Sequence, residues 1–109
     1  MKMLLLSVLW ICPLAAWSAE IWHMSTINQV YPTADGEVIL ILDTDSNYCT
    51  SANSPDYYYL SVGQNGVSAD ALKNMLATIL AGAAAGRTFW INFDDSTAQC
   101  YINRLSLLF

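Results

Sequence analysis

Residues 68–93 read SADALKNMLATILAGAAAGRTFWINF, and this stretch decides the fold. Ser68 stands where a helix N-cap belongs, and Asp70 lies in the first turn, where the helix dipole favours a carboxylate. Leu72, Met75, Leu76, Ile79, Leu80 and Ala83 recur at three- and four-residue steps and form one apolar stripe. The small residues Ala81, Gly82, Ala84 and Ala85 let the end of the helix approach a sheet, and Gly86 closes it as a C-terminal cap. The period then changes. From Arg87 to Phe93, the side chains of Phe89, Ile91 and Phe93 take one side and those of Trp90 and Asn92 the other, as in a strand with one buried face.

Toward the N-terminus, Tyr57 to Val62 reads as a strand, with Tyr57 and Tyr59 on one face and Tyr58, Leu60 and Val62 on the other. Asp43 to Asp56 is rich in Ser, Asn and Thr and reads as a long loop. Before it, Val38 to Leu42 is five consecutive aliphatic residues between two acids, the mark of a strand covered on both faces. Thr33-Ala34-Asp35-Gly36 is a tight turn, and Ile21 to Tyr31, ended by Pro32, is a first strand. Toward the C-terminus, Asp94 to Gln99 is a polar turn. Tyr101 to Phe109 is a last strand, with Leu105, Leu107 and Phe109 inward and Arg104 and Ser106 outward.

The order is three strands, a helix and two strands. It points to an α+β, mainly β chain: a small OB-fold-like five-stranded barrel, β-β-β-α-β-β, with the helix plugging one open end. Another α+β sheet with a helix packed across it, or an open six-stranded sandwich, fits the same order.

The N-terminus has its own logic. Lys2 precedes an apolar run from Leu4 to Leu14 broken only by Ser7, and small residues follow up to Glu20. That is the three-part pattern of a secretory signal peptide, too short to span a bilayer. Cleavage after Ser18 places Ala16 and Ser18 at the two positions that must be small, with cleavage after Ala19 the alternative. We therefore divide the chain into a signal peptide, residues 1–18, and a single OB-like domain, residues 19–109. The protein is expected to be secreted or periplasmic. Trp10 and Ile11 before Cys12 do not form a lipobox.

The remaining domain of about 90 residues buries a modest core and benefits from a covalent staple. It keeps two cysteines, Cys49 and Cys100, and in an exported chain an even pair points to a disulfide. Its only bases are Lys73, Arg87 and Arg104, against nine carboxylates. Such a balance opposes nucleic acid and anionic lipid, so neither is expected as a partner, and no membrane insertion is expected once the signal is gone.

No catalytic or metal constellation emerges, so no enzyme activity and no cofactor is expected. Asp43-Thr44-Asp45-Ser46-Asn47 opens like a calcium loop, but Tyr48 and Ser54 stand where Gly and Glu are needed. His23 is the only histidine, and no G-x-S-x-G occurs. The aromatics carry more. Tyr48, Tyr57 and Tyr58 cluster around the loop and third strand and Trp90 faces outward, so these four are the candidate binding residues for a sugar or protein surface.

Ala69-Asp70-Ala71-Leu72-Lys73-Asn74-Met75-Leu76, the cap Ala84-Ala85-Gly86-Arg87, the strand Thr88 to Phe93 and a following cysteine form a series. This series resembles the B subunit of subtilase-type AB5 toxins and related small exported bacterial proteins. The resemblance implies an OB-fold, a pentameric ring and binding of cell-surface glycans. The glycan-contacting serine and tyrosine positions of that family are not matched here, and no residue role is carried over. Two function classes follow. One is a non-catalytic binding module, as a ring-forming homo-oligomer that recognises a glycan or protein. The other is a periplasmic inhibitor or envelope accessory protein that binds an enzyme.

Overall fold

The computed structural model describes residues 20–109, and the expected signal peptide with its cleavage sites lies outside the described residues. The described residues form five strands, β1 (Glu20–Pro32), β2 (Val38–Leu42), β3 (Tyr58–Leu60), β4 (Thr88–Asp94) and β5 (Ile102–Leu107), and one helix, α1 (Ala69–Ala84). They form a single antiparallel sheet in the order β3-β2-β1-β4-β5. The long β1 is shared by both halves. Its first part, Glu20 to Thr26, pairs with β4, and its second part, Ile27 to Pro32, pairs with β2.

A register shift between Ile27 and Gln29 joins the two parts. An extra residue in a strand inverts the in–out alternation beyond it, so Ile21 and Ile27 before the bulge and Val30 after it all pack on one core. The same device acts on β5, where a shift opposite Asn92/Phe93 lets Ile102, Leu105 and Leu107 share that core. The core is filled by Val38, Leu40 and Leu42 from β2, Tyr58 and Leu60 from β3, Phe89, Ile91 and Phe93 from β4, and Ile79 from α1.

The element order, the single helix and the disulfide are as the sequence implies, but the barrel is not closed. β3 and β5 are the two edges of the sheet. β3 is three residues long, shorter than the expected Tyr57–Val62, because the turn at Ser61–Gly66 starts immediately after it. The gap is bridged instead by single contacts. Tyr59 N–H donates to the Gln99 carbonyl at 3.2 Å, Asn65 Nδ2 to the Tyr101 carbonyl at 2.9 Å, and Asn103 Nδ2 to the Asn65 carbonyl at 2.5 Å. Cys49 and Cys100 are bonded beside them, with Cα atoms 5.8 Å apart across 51 residues of chain. The disulfide is consistent with an extracytoplasmic protein, and no described helix is long and apolar enough to cross a membrane.

The helix is built as its sequence reads. Ser68 Oγ accepts the Ala71 N–H, and at the other end Gly86 (φ +67°) and Arg87 donate to the carbonyls of Ala83 and Gly82, a Schellman closure. Ile79 and Gly82 are its buried residues, and a Cβ on Gly82 would overlap the Phe89 ring and Leu107. Two expected inward residues are not inward. Leu80 is half exposed, because the helix covers the core with a stripe narrower than its apolar pattern. Phe109 lies beyond the last ladder residue of β5 and is almost fully exposed, with the Arg87 guanidinium 5.7 Å from its ring centre.

Candidate functional site

The outer face of β1, β4 and β5 is set by register. Trp22 lies opposite Asn92, and Asn92 opposite Arg104; one pleat along, Met24 lies opposite Trp90, and Trp90 opposite Ser106. The alternation that turns Ile21, Phe89, Ile91, Phe93 and Leu105 toward the core therefore brings these six side chains to the opposite face of the sheet. Trp22, Met24 and Trp90 are exposed by 48%, 44% and 36%, a contiguous apolar patch of the kind that marks interaction sites. The two indoles meet edge to face at 84° with centres 6.3 Å apart. With Ser106 they line an open cleft of about 400 Å³.

The polar part of the face is less ordinary. Arg104 Nη2 pairs with Glu20 Oε2 at 3.1 Å, and the guanidinium lies 5.6 Å from the Trp22 ring centre. Since Asn92 stands between Arg104 and Trp22 in the sheet, the arginine reaches across it to arrive there. Asn92 is fully buried, and neither Oδ1 nor Nδ2 has a hydrogen-bond partner. An unmatched buried amide costs on the order of 1–3 kcal/mol. The ion pair above it is exposed on both sides, and pairs of that kind are worth about 0–1 kcal/mol. The arginine is thus held weakly beside a group that lacks partners.

A second aromatic row crosses the other half of the molecule. Tyr31, Tyr57, Tyr59 and Tyr101 follow one another with ring centres 6.1, 6.3 and 6.1 Å apart. Ile39 pairs with both Tyr31 and Tyr59, so this row belongs to the outer face of β2, and it explains how a strand apolar on both faces is buried on both. Burial and the neighbouring Glu37 carboxylate push the Tyr59 hydroxyl above its usual value.

Of the four expected binding residues, Trp90 stands on the tryptophan face, Tyr57 in the tyrosine row, and Tyr48 alone on the loop at 62% exposure. Tyr58 is a correction. It is fully buried, packs edge-on against Phe93 at 5.3 Å, accepts the Ser46 N–H at 2.9 Å and donates toward Asp45 Oδ1 at 3.4 Å. Its hydroxyl is used to fold the Asp43–Asp56 loop onto the sheet, so it offers nothing to a ligand. That loop is also tied at its start. Thr26 and Asn28 donate to the Asp43 carboxylate, which holds its pKa below the usual value, and His23 Nε2 lies 2.6 Å from the Thr44 carbonyl.

The residue that sequence reasoning missed is Trp22. Its outward direction follows from the alternation of β1, but its meeting with Trp90 depends on the β1–β4 register, which no local pattern reveals. No protein-family model, curated protein or solved structure matches this chain significantly.

Proposed function

We propose that this chain is an exported, non-catalytic binding module that recognises a glycan or protein ligand through the Trp22–Trp90 face. The observation that carries the reading is an exposed tryptophan pair beside a buried, unpartnered amide. Such a surface is costly to leave in water and is of the type found in recognition sites. The short positive N-terminus with its apolar run supports export. The likeness of the helix-to-strand region to AB5 toxin B subunits supports a place among ring-forming subunits. Assembly into a ring belongs to this proposal, and light scattering on the purified mature protein tests it: a monomer mass at all concentrations removes it.

A second reading, an inhibitor or accessory protein that binds a basic enzyme, draws on the formal net charge of −5. The two readings separate on mutation. Immobilised mature protein is offered printed glycans and purified cell-surface and envelope proteins, beside a Trp22→Ala/Trp90→Ala double variant and a Tyr48→Ala control. Capture by wild type and control but not by the double variant is the expected result. A ligand held equally by all three places recognition elsewhere and overturns the reading.

A further inference from the structure

We infer that the tryptophan face docks a basic protein segment, with an aromatic or aliphatic side chain between the indoles and Lys or Arg on either side of it meeting carboxylates at the two ends of the face. This rests on the proposed function and names the partner of that same site. The first argument is the order of residues along β1. Glu20, Trp22, Met24 and Thr26 alternate outward, so an apolar centre separates two polar ends. At one end Glu20 lies opposite Asp94, and the Arg104 guanidinium pairs with Glu20. At the other end the Thr26 hydroxyl donates to the exposed Asp43 carboxylate, which Asn28 Nδ2 also meets at 3.1 Å. Carboxylates thus bracket the apolar centre on both sides, and one guanidinium offsets them. Six steps of strand separate the two ends by about 20 Å, a length that a short extended segment covers.

The second argument is what fills the centre. The indoles stand at 84° to each other, so a flat ring lies against one of them, whereas a side chain entering end-on touches both walls of the cleft. Met24, 44% exposed beside them, adds a flexible apolar wall. Tryptophan and methionine at the middle with charged groups at the rim is the anatomy of a protein–protein interface.

The third argument is charge, which selects among protein partners. The mature domain sets nine carboxylates against Lys73, Arg87 and Arg104. Lys73 lies on α1, and α1 packs against the inner side of the sheet at Phe89 and Leu107, away from this face. A basic segment therefore meets a complementary rim, and an acidic one is repelled. A second copy of this chain is disfavoured on the same ground: however two such faces are laid together, carboxylate-bearing ends meet carboxylate-bearing ends.

The test selects from a random dodecapeptide library displayed on phage, with immobilised mature protein as bait and the Trp22→Ala/Trp90→Ala double variant as counter-bait. Sequences enriched on wild type alone are expected to carry an aromatic or aliphatic residue with Lys or Arg on both sides. One such peptide, synthesised and titrated, is expected to bind Trp90→Ala roughly 10-fold more weakly. Glu20→Gln/Asp43→Asn is expected to weaken it roughly 5-fold, and raising NaCl from about 50 to 500 mM is expected to do the same to wild type. Both substitutions keep an acceptor oxygen for the existing hydrogen bonds, urea midpoints check that the fold is retained, and the salt series needs no variant. Enriched peptides without an excess of Lys and Arg, or affinity indifferent to salt and to charge removal, overturn the basic assignment. Concentration-dependent self-association that the double variant abolishes makes a second copy the occupant and overturns it too. No enrichment over the double variant overturns docking of a protein segment altogether. The printed glycans of the capture experiment then judge the face separately: a glycan held by wild type and not by the double variant keeps the proposed function with a different ligand class, and capture of nothing removes both.

Discussion

Tyr58 and Trp90 are both aromatic, both on strands and both candidates from sequence as recognition residues, yet one is enclosed and the other exposed. Tyr58 is enclosed, and its hydroxyl satisfies the Ser46 N–H, itself part of a buried residue. Tyr58→Phe removes that acceptor and is expected to cost about 1–2 kcal/mol in urea unfolding while leaving ligand binding unchanged. The same contact has a pH signature. Burial, opposed by the Ser46 N–H and reinforced by Asp45 and Asp56, pushes the Tyr58 hydroxyl well above its unfolded value of 10.0. The neutral form is therefore favoured in the folded state. This contribution is fully present below 10.0 and is lost as pH rises from there toward the folded value. Wild type is expected to lose stability more steeply than Tyr58→Phe as pH rises above about 10, compared by urea midpoints. Parallel curves would show that the phenol is not held neutral by the fold.

At the scale of elements, the helix-to-strand junction is where sequence and structure agree most closely. The Ser68 cap, the Gly86 stop and the alternation of Phe89, Ile91 and Phe93 are local signals, each determined within a few residues, and the structure realises all of them. Gly82 tests this packing. Ala is a better helix former by about 1 kcal/mol, but its methyl would press on the fully buried Phe89 ring and on Leu107. Overlap in a packed core costs about 1–3 kcal/mol, so Gly82→Ala is expected to be net destabilising by up to about 2 kcal/mol in thermal or urea unfolding. A variant more stable than wild type would mean that α1 sits farther from β4. What stayed hidden in the sequence is non-local. The bulges on β1 and β5 invert the alternation without any glycine or proline to announce them, and the partnership of Trp22 with Trp90 exists only once β1 and β4 are in register. Tyr58 was assignable to the same face as Leu60, but that this face is the core depends on which side of β3 is folded toward Phe93 and the rest of the shared core.

For the whole molecule, the sheet resembles a barrel left open along the β3–β5 seam and held by a covalent bond instead of a ladder. A bridge spanning 51 residues stabilises by about 4 kcal/mol on chain-entropy grounds, a large share of what a domain of this size has. Reduction, or Cys49→Ala/Cys100→Ala, is expected to lower the urea midpoint sharply and to expose the seam to proteolysis near Tyr59 and Gln99. An unchanged midpoint would assign closure to the single hydrogen bonds alone.

Two aromatic rows on opposite halves of one strand make the choice between them the central test of the proposed binding face. The chain has four tryptophans, and Trp10 and Trp17 lie in the expected signal peptide, so the mature domain would keep only Trp22 and Trp90, both on the proposed face. Its two indole N–H signals in a ¹⁵N-labelled spectrum thus report that face and nothing else. Titrated with the ligand that wild type captures, both signals are expected to shift along one saturable isotherm. Saturable binding that moves the backbone signals of Tyr31, Tyr57 and Tyr59 and leaves both indoles still would contradict the account.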